Sequence, residues 1–200
     1  MLQSIMKIFI TVFILLSSFV SFADDISDFK IESFSLGDSL LDNMTINEIK
    51  EEIELNKSAY NYLREEFGEV YLFSNFENYY SVSFFVHLND TRFIIQGIRG
   101  HIDYDNKSRE DCILQKNKII NQISPLFEIK NKTKKSAIYE IDPSGKSKTE
   151  YVEIFLTSGG NITISCTTWE KNFKVNNNYM NSLNVSIYND AVQDWLVSER

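Results

Sequence analysis

Histidine, cysteine, proline and tryptophan occur twice each in this chain of 200 residues, and glycine only seven times. Each scarcity removes a kind of chemistry. Zinc hydrolysis needs clustered ligands such as His-Glu-x-x-His, whereas His87 and His101 stand alone on the two strands of one expected hairpin, across which they could face each other. No glycine-rich loop is present to cradle a phosphate, and no Gly-x-Ser-x-Gly elbow presents a serine nucleophile. Neither cysteine belongs to a Cys-x-x-Cys pair, which argues against a thioredoxin-like redox role. The acidic pairs Glu51-Glu52 and Glu65-Glu66 are neighbours along helical segments rather than facing carboxylates, so they give no glycosidase arrangement. No motif calls for a cofactor.

Positive charge is also short. Twenty Lys and Arg against 28 Asp and Glu leave a net charge of -8, which disfavours nucleic acid and anionic lipid faces unless a local basic patch exists. The one basic run, Lys130-Asn131-Lys132-Thr133-Lys134-Lys135, is expected in a solvated linker or hairpin loop. Only one apolar run is long enough to notice. After Lys7 it spans Ile8 to Leu16, continues through a Ser-rich stretch to Ser21-Phe22-Ala23, and meets Asp24 and Asp25. That order is a secretory leader with cleavage between Ala23 and Asp24. The run falls short of the roughly 18 apolar residues a spanning helix needs, and no cysteine at the cleavage site offers a lipid anchor. The expectation is a leader over 1–23 and one soluble domain over 24–200, exported to the periplasm or beyond, with no integral membrane span once the leader is gone. A domain of that length buries roughly 70% of its unfolded surface.

What is present is patterned. Phe29 to Phe34 alternates like a short strand, and Gly37 turns the chain. Thr45 with Glu48 makes a capping box for a helix carrying Ile46, Ile49 and Ile53. A second helix is expected from Ala59 to Gly68, then a strand from Glu69 to Phe73. Tyr80, Val82, Phe84, Val86 and Leu88 alternate along a strand, Asn89-Asp90 turns, and Phe93 to Tyr104 returns. Ser108 caps a helix with the stripe Cys112, Ile119, Ile120 and Ile123, ended by Pro125. Further strands follow over Ala137–Ile141, Tyr151–Leu156, Ile162–Trp169 and Leu183–Ile187, with Asp142-Pro143-Ser144-Gly145 as a turn and Asn189 capping a last helix that bears Val192, Trp195 and Leu196. The fold class is α+β: a mainly antiparallel sheet built from hairpins, with a few helices packed on one face. Cys112 and Cys166 then read as a strand-to-helix disulfide in an oxidising compartment, closing a loop of ~55 residues. The alternative is two small buried hydrophobes.

The most suggestive polar cluster is His101-Ile102-Asp103-Tyr104-Asp105-Asn106. Asp103 and Asp105 alternate onto one strand face, which makes His101, Asp103 and Asp105 the candidate metal ligands. An EF-hand register from Asp103 fails, because Lys107 takes a ligand position, Ser108 the glycine and Leu114 the closing glutamate. The competing reading is a polar strand end. Aromatic residues crowd the stretch from Tyr60 through Tyr62, Phe67, Tyr71, Phe73, Phe76 and Tyr79 to Tyr80; an exposed set would mark a partner surface, a buried set a sheet face.

Ile31-Glu32-Ser33-Phe34-Ser35-Leu36-Gly37-Asp38-Ser39-Leu40, Gly100-His101-Ile102-Asp103-Tyr104 and Asp111-Cys112 together resemble a group of uncharacterised small secreted proteins of AT-rich marine bacteria, over most of the mature chain. That resemblance implies export and no particular activity. The opening segment is also similar to that of SmpA/OmlA-like envelope proteins, which assist outer-membrane assembly. The functional expectation is a non-enzymatic exported domain that binds another envelope or extracellular protein through a sheet face or aromatic patch. The alternative is a metal-dependent or hydrolytic enzyme using His101, Asp103 and Asp105.

Overall fold

A computed structural model describes residues 25–59 and 66–198. The leader with its Ala23–Asp24 junction, and most of the helix expected between Ala59 and Gly68, lie outside the described residues. Seven strands form one antiparallel sheet: β1 (Phe67–Leu72), β2 (Ser81–His87), β3 (Ile95–Asp103), β4 (Ile129–Ile138), β5 (Lys148–Leu156), β6 (Asn161–Thr168) and β7 (Ser182–Tyr188). Their order is β1-β2-β3-β7-β6-β5-β4. The chain builds β1 to β3 at one side, crosses to the far edge, and works back until β7 closes the gap between β3 and β6. Among the described residues four α-helices accompany them: α1 (Ile46–Ala59), α2 (Arg109–Ile123), α3 (Lys171–Asn177) and α4 (Asp190–Ser198). The architecture is α+β.

Strand alternation sends every second side chain to the same face. On one face Val82, Phe84, Ile98, Ile162, Ile164, Leu183, Val185 and Ile187 are almost fully buried, under α1 and α2. The capping box forms as expected: Glu48 accepts from the Thr45 backbone N–H at 2.7 Å, and the Thr45 hydroxyl accepts from Glu48 N–H at 3.3 Å. Ile49 and Ile53 of α1 are buried, but Ile46, at the start of the helix, is 47% exposed. On α2, Ser108 and Asp111 cap each other reciprocally, and the buried stripe is Cys112, Lys116, Ile120 and Ile123. Gly100 of β3 leaves room for the Tyr79 ring, which a Cβ there would meet at 2.3 Å. The carboxy-terminal helix departs from the one-face expectation. Capped by Asn189, α4 packs Val192 and Trp195 against Phe67, Phe85 and Tyr188 on the opposite face.

Other expectations are corrected. Ile31 to Phe34 is a tight turn closed by two mutual backbone hydrogen bonds of 3.1 Å, with Glu32 at φ 55°, rather than a strand. The basic run is not a loop: it is the edge strand β4, where alternation leaves lysines on both faces. Lysine on an edge strand discourages pairing with another sheet. At the other edge, α1 occupies the free backbone groups of β1, with the Asn56 amide donating to Glu69 C=O at 3.0 Å and Glu52 accepting from Tyr71 N–H at 3.2 Å. The short helix α3, capped by Glu170, had no expectation attached to it.

Cys112 and Cys166 form a disulfide with Cα atoms 6.0 Å apart, tying α2 to β6 across 54 residues of sequence. Chain entropy then makes a specific demand: the Cys112→Ala/Cys166→Ala chain should lose about 4 kcal/mol of unfolding free energy, read as a lower urea midpoint. An unchanged midpoint would show that the core alone holds α2 on the sheet.

Candidate functional site

The second sheet face is polar where the first is apolar. Strand register lines up one row, Ser83, Arg99, Ser186, Thr163, Glu153 and Thr133, each opposite the next across six strands. A neighbouring row runs Ser81, His101, Asn184, Ser165, Tyr151 and Lys135. Over the middle of these rows lies an open cleft of about 420 Å³, bounded by Arg99 and Tyr188, by Tyr139 and Ala137 towards the β4 edge, and by Gln193 and Leu196 of α4. Its floor is hydroxyl and amide: Thr149, Tyr151, Thr163, Ser165, Thr167, Asn184 and Ser186. Such groups both donate and accept.

The charges in the cleft are already matched. Arg99 donates to the Tyr188 hydroxyl through Nε at 3.1 Å and Nη2 at 2.8 Å, pairs with Glu69 at 3.4 Å, and lies 5.2 Å from the Phe85 ring centre. Glu153 accepts from Lys135 Nζ at 2.8 Å and from the Thr133 hydroxyl at 3.0 Å. At the cleft's outer end Trp169 is sandwiched between Tyr139 and Tyr179, each 4.3 Å away by ring centres. The aromatic stretch noted in the sequence divides: Phe67 is core, Tyr71 stacks on His101 at 5.4 Å, and Phe73 and Tyr80 are exposed. Tyr60 and Tyr62 lie outside the described residues.

Beside the cleft runs a hydrogen-bonded chain. The Ser83 hydroxyl donates to Glu69 Oε1 at 2.6 Å, His101 Nε2 lies 3.2 Å from Ser83 Oγ, and His101 Nδ1 lies 3.0 Å from the Asn184 side-chain amide. A serine, a histidine and an amide in this order resemble a nucleophile with its base and orienting group. The neutral ring has one N–H, which Nδ1 donates to the Asn184 side-chain oxygen, so Nε2 faces Ser83 as an acceptor; the single Ser83 proton points to Glu69, whose carboxylate at 2.6 Å competes with the ring for it. Ser83 and Glu69 are moreover fully buried. Burial, reinforced by the Arg99 charge and opposed by the contact to Asn184, pulls His101 from 6.5 to about 3; the ring is neutral at pH 7.

The residues singled out in the sequence do not assemble. His101 is engaged with Ser83 and Asn184. Asp103 accepts from Asp105 N–H at 2.7 Å, while Asp105 takes Lys174 Nζ at 2.8 Å and Asn181 N–H at 2.7 Å. His87 sits at the opposite end of the hairpin, opposite Phe67. Among the described residues no three His, Cys, Asp or Glu side chains converge as metal ligands, and no helix is long and apolar enough to cross a membrane. The cleft residues escaped sequence reading because each is an ordinary polar residue alternating with core. Thr163-x-Ser165-x-Thr167 and Ser182-x-Asn184-x-Ser186 were the available signal.

Because the unfolded histidine binds a proton near pH 6.5 and the folded one only near 3, the folded state gains nothing from protons in that interval. Stability that His101 contributes is complete above pH 6.5 and is lost progressively as pH falls towards 3. His101→Gln should therefore flatten the acid side of the profile, with Tm dropping roughly 5 to 10 °C less than in the natural chain between pH 7 and 4.5. Superimposable profiles would show the ring titrating normally in the folded state.

Comparison of the chain with family models, with curated proteins and with solved structures finds no match.

Proposed function

We propose that this is an exported, non-enzymatic binding domain, and that its binding surface is the polar cleft of the second sheet face. The observation that supports this reading is the composition of that cleft: about 420 Å³, within the range of small-ligand sites, floored by hydroxyls and amides. Arg99 and Glu153 each already have an opposite charge beside them, so the cleft offers no free charge to select an ion. What it offers is alternating donors and acceptors with apolar edges from Tyr139, Tyr151 and Leu196. That matches an uncharged polyhydroxylated group, whose hydroxyls need such partners and whose C–H faces rest on rings. In an envelope setting the group would belong to a glycan or a glycosylated partner. The disulfide between Cys112 and Cys166 and the apolar leader fit export, since such bridges persist in oxidising compartments.

The Ser83–His101–Asn184 chain favours a hydrolase as the second reading. The full burial of Ser83, away from any substrate, and its short hydrogen bond to the Glu69 carboxylate weigh against it.

Saturation-transfer NMR of the purified, disulfide-bonded chain with uncharged oligosaccharides of bacterial envelope type should give a saturable signal. Tyr151→Ala/Ser165→Ala, at partly exposed positions of the floor, should weaken it at least tenfold. No saturable sugar, or equal binding by the double variant, would overturn the reading. A serine-directed fluorophosphonate should leave Ser83 unlabelled; labelling there would move the assignment to the hydrolase. The intact mass of exported protein should correspond to a chain starting at Asp24, and a chain retaining the leader would remove export from the proposal.

A further inference from the structure

The basic run that makes up β4 forms one wall of a second concavity, on the opposite face of the sheet from the cleft. The groove, about 460 Å³, runs between β4 and α2 and is lined by Lys132, Lys134, Asn117, Asn121, Ile120 and Val152, together with Thr133. Its polar side chains are ammonium, amide and one hydroxyl, with no carboxylate among them, in a protein of net charge -8. Register explains how they come together. Lys132 lies opposite Ile154 and Lys134 opposite Val152, so both lysines project from the α2 side of the sheet, about 7 Å apart along the strand. Asn117 and Asn121 are one helical turn apart and therefore share a face of α2.

Charge is held in place beneath the groove as well. Lys116 of α2 has its side chain only 1% exposed, and its ammonium donates to Glu150 C=O at 3.2 Å. The Glu150 carboxylate is shared between Lys116, at 3.9 Å, and Arg109. One carboxylate thus serves two cations, while neither Lys132 nor Lys134 has a carboxylate partner among the described residues; Lys132 reaches only the Ser124 hydroxyl, at 3.4 Å. Burial depresses the Lys116 ammonium, Glu150 partly restores it, and Lys134 and Arg109 depress it further. The local field is positive in excess of its neutralisation.

We propose that the β4–α2 groove is an anion site that takes a phosphate or sulfate group, held by Lys132 and Lys134 and oriented by the Asn117 and Asn121 amides. Ammonium groups bind such oxyanions as point charges, and the amides supply directed donors. The group could be carried by a soluble glycan or by a lipid headgroup; the chemistry at the lysines is the same. This site is independent of the polar cleft, from which the sheet separates it.

The test is titration of the natural chain at low ionic strength with sodium phosphate and sodium sulfate, against sodium chloride of equal ionic strength, followed by NMR of the lysine ammonium and asparagine amide groups. Saturable shifts confined to Lys132, Lys134, Asn117 and Asn121 are expected. Lys132→Gln/Lys134→Gln, at exposed positions that leave the fold intact by circular dichroism, should weaken binding at least tenfold. Asn117→Ala/Asn121→Ala should weaken it several-fold without changing the charge. A response that chloride reproduces, or a lysine double variant that binds as well as the natural chain, overturns the site. Two further probes identify the carrier. Capture by a sulfated oligosaccharide in solution supports a glycan, and capture by phosphatidylglycerol vesicles alone supports a lipid headgroup; a lysine double variant captured equally by either probe again overturns the site.

Discussion

A single antiparallel sheet seven strands wide has two faces, and alternation obliges each strand to divide its side chains between them. Everything else in this protein follows from how that division is made. Strands β2, β7 and β6 send Val82, Phe84, Val86, Leu183, Val185, Ile187, Ile162 and Ile164 to one side, and α1 and α2 are amphipathic to match. The other side receives the serines, threonines and amides in between. Only at the end under α4 is that second face apolar, through Phe67, Phe85 and Tyr188. The cleft lies where the apolar patch stops and, among the described residues, no other helix covers the sheet.

The disulfide belongs to the apolar side. Cys166 sits in the same alternation as Ile162 and Ile164, and Cys112 in the same stripe as Ile120 and Ile123. It fastens α2 near the middle of the sheet, and α2 in turn carries Lys116 down onto β5. The two edges are handled differently. The β1 edge is sealed by side chains of α1, whereas β4 is left open and studded with lysine, which repels other basic edges and shapes the groove beside α2.

Legibility followed the same division. The helices with reciprocal caps, the long hairpin of β2 and β3, the turn at Asp142 and the β5–β6 hairpin are local in origin, set by short-range signals such as Thr45 with Glu48, or Gly159-Gly160 at positive φ. The segment from Phe29 to Phe34 alternates equally well but has no strand to pair with, so it closes on itself as a turn. The basic run reads as a solvated loop because lysine has low strand propensity. What made it a strand was pairing with β5 over nine register positions from Ile129 to Ile138. His101 and Asp103 are correctly placed on a strand, yet their chemistry depends on neighbours from distant strands. Ser83, Asn184 and Glu69 fix what His101 can do, and none is near it in sequence.

By itself, then, the sequence determined the α+β class, the period of each strong strand, the helix caps and the cysteine pair able to meet across one face, because these rest on contacts within a few residues or on hydrophobic alternation. The tertiary structure alone decided which strands are neighbours, and so which polar residues share a row. The insertion of β7 between β3 and β6 joins Arg99 to Ser186 and Thr163, and His101 to Asn184 and Ser165. Long-range register carries no local signature, and both candidate sites are built from it.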